Sequence, residues 1–182
     1  MLKKEVISHF SVTVVWLVIV TLLRWDWHWN LILLWLGGLV GTFLIDLDHL
    51  LYTLVIYPQE ITSMRVKNLL QQKSFKEALI LLVDTHDERL RLSFHNALFQ
   101  IVLFVLCFFV LTSTSSLFGA GLVMAMALHL LKDELELLFQ GKGEHLRLLL
   151  FWPIKREISL HQQKVFLIIM ILVFLGLSLL LR

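Results

Sequence analysis

The chain carries ionisable side chains inside a stretch that is long and apolar enough to cross a membrane. Residues 41–52 read G-T-F-L-I-D-L-D-H-L-L-Y. An ionisable side chain at membrane depth costs several kcal/mol unless it has a partner or faces a water-filled cavity. Asp46 and His49 are three residues apart and share one helical face, with Asp48 about 100° round the helix from His49. The rest of the chain must therefore supply partners for these three groups.

The composition is that of an integral membrane protein. Hydrophobic residues make up 58% of the chain and charged residues 16%, against about 45–50% and about 25% in soluble domains. The single cysteine, Cys107, lies in an apolar run. This excludes a disulfide framework and a thiolate metal site.

The hydropathy pattern predicts an all-α fold, a single membrane domain over residues 1–182. We expect about five transmembrane helices, at about 6–23, 31–57, 93–112, 117–139 and 165–181, with loops at 58–92 and 140–163. Within the first loop, apolar and basic residues alternate in a pattern typical of an interfacial amphipathic helix. Gly37 and Gly41 form a GxxxG pair in the second span, which favours close helix packing.

The distribution of basic residues predicts the orientation. Lys3, Lys4, six basic residues in the first loop and four in the second fall on one side, whereas Arg24 and Arg182 fall on the other. Because Lys and Arg favour the cytoplasmic side, we expect a cytoplasmic N-terminus in the inner membrane. Anionic lipid headgroups explain the basic loops, so membrane lipids are the expected partners and nucleic acid is not.

Buried polar groups from four helices lie at one predicted depth. With about 1.5 Å of rise per residue, they fall roughly 18 to 28 Å from the outer ends of their spans, in the cytoplasmic leaflet. His129 and Asp133 are four residues apart and share a face. The predicted ligand set comprises His9, Asp46, Asp48, His49, His95, His129 and Asp133.

Imidazole and carboxylate ligands without thiolate suit zinc or a similar divalent ion. A catalytic zinc needs about three protein ligands and a water, so seven groups suit two or three ions with a bridging aspartate, as in phosphoester hydrolysis. Asp46, Asp48 and His129 are the candidate catalytic residues.

Plainer interpretations stay open for several of these groups. The aspartates and His49 could form a structural polar network, and His95 could belong to a helix N-terminus capped by Ser93. Lys132 offers an ion pair to Asp133, although adjacent helical residues point apart.

Five short motifs occur in order along the chain: S-H-F around His9, L-I-D-L-D-H at 44–49, F-H-N at 94–96, H-L-L-K-D at 129–133 and F-W-P at 151–153. They resemble the motifs of the YdjM-type family of membrane-bound metal-dependent hydrolases, which has an early histidine in its first helix and then L-P-D-I-D-H, H-R-G-x-T-H-S, H-x-x-x-D and W-P. That family is similar to zinc phospholipase C and P1 nuclease, so the resemblance implies phosphodiester hydrolysis at clustered zinc ions.

The chain departs from the family pattern at two places. Ile45 stands where the family has proline, which favours a straighter second helix. Leu90 and Arg91 occupy the region of the first histidine and the arginine of H-R-G-x-T-H-S, and Asn96 replaces its serine. His86 could supply the missing group or belong to a hydrophilic turn, and Asn96 is a further candidate.

These observations predict a membrane-embedded hydrolase that cleaves the phosphoester of a lipid or lipid-linked substrate at the cytoplasmic leaflet. The alternative is a non-catalytic membrane protein with a structural metal site or a degenerate hydrolase site. Ligand geometry discriminates the two, because a structural site is closed and a catalytic site keeps an open position.

Overall fold

The computed structural model describes residues 2–25 and 28–181, and within these ranges the chain is helical and has no strand. Arg182 lies outside the described residues, as do the side chains of Lys3 and Lys4. The α-helices are α1 (Leu2–Arg24), α2 (Leu31–Leu44), α3 (Leu47–Leu51), α4 (Ile61–Gln71), α5 (Phe75–Asp84), α6 (Ala97–Ser113), α7 (Leu117–Phe139), α8 (Gly143–Leu150) and α9 (Leu160–Leu180).

Three segments of the described chain are long and apolar enough to span a membrane: Val6–Arg24, Leu31–Ile56 and Leu160–Leu180. Helix α6 is apolar but has only 17 residues. Helix α7 has 23 residues, and its second half carries charged side chains between Lys132 and Glu136. The prediction of an all-helical fold is thus confirmed within the described residues, while five transmembrane spans remain a prediction.

Helices α2 and α7 pack with their backbones in direct contact. A Cβ atom at Gly37 or Gly41 of α2 would collide with the backbone carbonyl of Phe118 or Leu122 in α7, and one at Gly121 of α7 would meet the backbone of Leu34. This confirms the close approach predicted from the GxxxG pair. The core beside this contact takes side chains from α1, α2, α6, α7 and α9.

The second span is interrupted within the D-x-D-H motif. Regular α-helical hydrogen bonding stops after Leu44 and resumes at Leu47, although no proline is present. The backbone N–H groups of Asp48 and His49 donate to the carbonyls three residues back, at 3.3 and 3.1 Å. A π-helical turn follows at Tyr52–Ile56. Such local changes in helix winding are frequent at functional sites.

The loop predicted at 58–92 forms two helices, α4 and α5, rather than the single amphipathic helix predicted. Lys73, between them, has a φ of 59°, a left-handed conformation that ends α4. Helix α5 buries Ala78 and Leu82 and exposes Phe75 and Leu79. An exposed apolar stripe of this kind is typical of a helix at a membrane surface.

Two helix starts differ from the prediction because of capping side chains. Helix α6 begins four residues late, since Asn96, not Ser93, accepts from the Phe99 N–H. Helix α9 begins at Leu160, five residues early, because Ser159 and Gln162 form a capping box. Helix α7 begins and ends where it was predicted.

Candidate metal centre

Six of the seven predicted ligands converge in the structure. They form two groups of three, within each of which the potential ligand atoms all lie within 4.8 Å of one another. The first group is His9, His129 and Asp133, and the second is Asp46, His49 and His95. Each group combines histidine and aspartate, and each could hold a metal ion.

Two aspartates connect the groups. Asp133 lies between three imidazoles, with Oδ1 3.2 Å from His9 Nε2 and Oδ2 3.1 Å from His129 Nε2 and 3.6 Å from His95 Nε2. Asp46 belongs to the second group, but its Oδ1 lies 3.3 Å from His129 Nε2 in the first. Either carboxylate is therefore placed to bridge two neighbouring cations.

Hydrogen bonds fix which nitrogen His95 and His129 present to the centre. His129 Nδ1 donates to the Thr42 carbonyl at 2.7 Å, and His95 Nδ1 donates to Asp48 Oδ2 at 2.9 Å. A carbonyl and a carboxylate only accept, so Nδ1 carries the proton in both rings. The Nε2 atoms then face carboxylate oxygens, an arrangement that needs a proton or a metal cation between them. This donor set fits a divalent ion.

Asp48 lies behind His95 and belongs to neither group. Its side chain is fully buried, and Oδ2 accepts from the Phe94 N–H at 3.0 Å as well as from His95. The prediction had placed Asp48 among the ligands and the catalytic residues. In the structure it hydrogen-bonds to His95, a candidate ligand, in the position that second carboxylates commonly take in zinc sites.

His49 is held differently from the other histidines. Its Nδ1 accepts from Arg89 Nε at 3.0 Å. Because a guanidinium only donates, a neutral His49 ring carries its proton on Nε2. Coordination through Nε2 therefore requires the ring to turn or Arg89 to release Nδ1.

Lys132 contacts the first group, and the sequence argument that kept it apart from Asp133 is wrong. Its Nζ lies 3.0 Å from His9 Nε2, 3.4 Å from Asp133 Oδ1 and 2.6 Å from Glu136 Oε2. The long lysine stem lets the ammonium reach back to the neighbouring side chain even though the two Cβ atoms diverge.

The two additional candidates have other contacts. His86 Nδ1 lies 2.8 Å from the Val83 carbonyl and Nε2 lies 3.0 Å from Asp87 Oδ1. Asn96 caps α6 and donates to two backbone carbonyls of the preceding turn. Neither residue belongs to the two ligand groups.

The F-W-P motif supports the segment that carries His95. Trp152 Nε1 donates to the Leu92 carbonyl at 3.2 Å. Phe151 packs in a buried cluster with Ala97, the first residue of α6, and Leu146 of α8. The motif therefore supports the backbone that leads to His95, and in the described chain no hydrogen bond or ring contact joins it to the two ligand groups.

A cavity of about 700 Å³ borders both groups. Five of the six converging side chains line it, all but His129, as do the cationic side chains of Arg89, Lys132 and Lys142. Much of the remaining wall is apolar and comes from α3, α5 and the segments around them. Arg89 was not predicted, because nothing in T-H-D-E-R distinguishes it from the other loop arginines.

No protein-family model matches this chain, and neither a curated protein nor a solved structure matches it. The resemblance to the YdjM-type hydrolases therefore stays a prediction that depends on the ordered motifs.

Proposed function

We propose that this chain is a membrane-embedded, metal-dependent hydrolase that cleaves a phosphoester at the cytoplasmic leaflet of the inner membrane. The observation that carries the proposal is the pair of histidine and aspartate groups, connected by Asp46 and Asp133, at the wall of a cavity. Adjacent cation sites with a shared carboxylate are the arrangement that enzymes use for phosphoryl chemistry.

The two groups suit two ions, with Zn²⁺ favoured by the nitrogen and oxygen donors. His9, His129 and Asp133 would hold one ion, and Asp46, His49 and His95 the other. When bound, such ions activate water and stabilise charge on phosphoryl oxygens. The protein's own part is to orient the ligands, as Thr42 does for His129 and Asp48 for His95.

One observation favours the second candidate, a non-catalytic protein with a structural or reduced metal site. The Lys132 ammonium lies within 3.4 Å of both His9 Nε2 and Asp133 Oδ1. A cationic side chain at these atoms competes with a metal ion for the first group. Under this alternative only the second group, with Asp46, binds a metal.

Metal content and hydrolysis, measured together on detergent-purified protein, discriminate the two candidates. Elemental mass spectrometry is expected to give two zinc-like ions per chain, and the protein is expected to hydrolyse bis(p-nitrophenyl) phosphate or phosphatidic acid. Asp133→Asn and His129→Gln should lower both metal content and hydrolysis. His161→Gln is the matched control, because His161 is exposed at the start of α9.

The result decides between the candidates. If the wild-type protein contains one metal ion per chain and shows no hydrolysis, the structural alternative is supported. A folded wild-type protein that binds no divalent metal contradicts both and leaves a polar network.

A further inference from the structure

Arg89 is a buried cation for which the described residues provide no ion-pair partner. Its side chain is 3% exposed. The guanidinium donates to three neutral acceptors: His49 Nδ1 at 3.0 Å, Thr85 Oγ1 at 3.1 Å and the Leu82 carbonyl. A guanidinium has five N–H bonds, so two of them lack a partner among these contacts.

Burial without a counter-charge is costly, since an uncompensated buried charge typically destabilises a protein by several kcal/mol. The carboxylates of Glu88, Asp48 and Glu60 act on Arg89 electrostatically, but none of them forms an ion pair with it among the described residues. Arginine stays protonated in proteins even when it is buried. The environment of Arg89 therefore has an unmet requirement for negative charge.

Helix capping explains part of this geometry. Arg89 donates to Leu82 in the last turn of α5, where the helix dipole favours a cation. Capping does not explain why Nε is bonded to His49, a member of the second ligand group, or why the side chain lines the cavity. Those two features place the guanidinium beside the candidate metal centre, at the wall of the same cavity.

The cavity wall has the chemistry of an amphiphile site. Two of its cationic side chains already have carboxylate partners in the wall, Lys132 with Glu136 and Lys142 with Asp87, whereas Arg89 has none among the described residues. The wall also includes Val6, Phe43, Leu47 and Leu79, which are large apolar residues between 40% and 53% exposed. In a membrane, such exposed apolar surface contacts acyl chains. A ligand with an anionic head and an apolar tail would satisfy both parts of the wall.

We propose that Arg89 binds the phosphate headgroup of an anionic lipid in this cavity and holds it beside the Asp46, His49 and His95 group. A phosphate oxygen competes with His49 for the Arg89 N–H groups. When Arg89 turns from His49 to the phosphate, the Nδ1 atom of His49 becomes free. The proposal names the substrate class of the proposed hydrolase and depends on that function for the reaction, but binding itself requires no metal.

The test measures binding of dihexanoyl phosphatidic acid to detergent-purified, metal-stripped protein by titration calorimetry below the micelle concentration of the lipid. Arg89→Gln is expected to weaken binding at least about 30-fold, the usual effect of removing one partner from a buried charge pair. Arg91→Gln is the matched control, since Arg91 is exposed two residues away, and should bind like the wild type.

Further arms identify the ligand and guard against misfolding. Dihexanoyl phosphatidylcholine and inorganic phosphate should bind much more weakly than phosphatidic acid, whereas equal binding of inorganic phosphate would show a site for free phosphate and overturn the lipid assignment. Arg89→Lys keeps the charge but loses the planar fork, so it should retain part of the affinity. If Arg89→Gln does not fold, unchanged affinity in Arg89→Lys counts against the proposal.

The outcome is separable from that of the proposed function. Equal affinity in folded Arg89→Gln and wild type, or an equal loss in Arg91→Gln, overturns the role of Arg89 while metal binding and hydrolysis stand. Arg89-dependent binding by a protein that takes up no metal supports the lipid site and removes the hydrolase.

Discussion

Asp48 contacts the centre through His95. It is fully buried, and one carboxylate oxygen accepts from both the His95 ring and the Phe94 backbone. This pair of contacts fixes the ring and the backbone that carries it. A buried carboxylate in such a position raises the basicity of the histidine and selects its tautomer. Removal of the Asp48 carboxylate should therefore weaken metal binding.

Asp48→Asn is therefore expected to lower metal affinity about 10- to 100-fold without unfolding the protein. The amide oxygen can still accept from both donors, but the negative charge that favours the metal-bound His95 ring is lost. Equilibrium dialysis against zinc, with circular dichroism as a check of helix content, measures the effect. Asp84→Asn, at an exposed position at the end of α5, is the control. Equal zinc affinity in Asp48→Asn and wild type would exclude this orienting role.

At the residue scale, the sequence predicted which residue types meet but not how each is placed. The predicted depths put His9, His129 and Asp133 at a similar level, and in the structure they do converge. Depth gives no direction around each helix axis, so it could not separate Asp48, behind His95, from Asp46. It also gives no account of the reach of long side chains, which is why the contacts of Lys132 and Arg89 were missed.

The α2–α7 pair is the element that holds the centre together. Glycine at the contact lets the two backbones touch, and the Thr42 carbonyl of α2 can then accept from the His129 ring of α7 at 2.7 Å. This backbone packing thus helps to set the position of His129, a candidate ligand. The glycine pair was visible in the sequence, whereas its partner helix was not, because small-residue spacing does not specify what packs on it.

Gly41→Ala should destabilise the protein by about 1–3 kcal/mol or more, because overpacking of a close contact forces the backbones apart. The obstacle is the Leu122 carbonyl, which cannot rotate away as a side chain can. Thermal unfolding in detergent measures the loss, and zinc affinity should fall with it as Thr42 moves from His129.

Gly176→Ala in α9 is the matched control, since a Cβ atom there meets nothing within 4 Å. It should be neutral or slightly stabilising, as alanine is the better helix former. An equal loss of stability in both variants would show that helix propensity or membrane context, rather than the α2–α7 contact, governs the effect.

Helix starts were predictable where the capping residue lies at a sharp change in hydropathy and less so where it lies elsewhere. Helix α7 begins as predicted, because Ser116, which caps it by accepting from the Gly119 N–H, directly precedes the apolar run. Asn96 shifts the start of α6 through one hydrogen bond, and the Ser159–Gln162 capping box shifts that of α9 through two, which an average over many residues does not register.

For the whole molecule, the centre joins α1, the α2–α3 junction, the segment before α6, and α7. These parts are distant in the chain, so the site forms only when the helices have assembled. The cavity beside it is bounded by α3 and α5, and α5 exposes Phe75 and Leu79. This arrangement suits a molecule whose site opens at one membrane surface, on the side of the basic loops.

Cysteine labelling tests that topology and the two spans still in question. Gln72→Cys, Ser115→Cys and Lys155→Cys lie at exposed positions between successive long helices, and Cys107 is buried and should stay unlabelled. A membrane-impermeant maleimide applied to right-side-out vesicles should label position 115 alone, whereas inside-out vesicles should show 72 and 155. Because 115 lies between α6 and α7, this pattern requires both helices to cross the membrane. Labelling of all three positions from one side would leave α6 and α7 as a hairpin that does not span, and would remove the geometric basis for a site in the cytoplasmic leaflet.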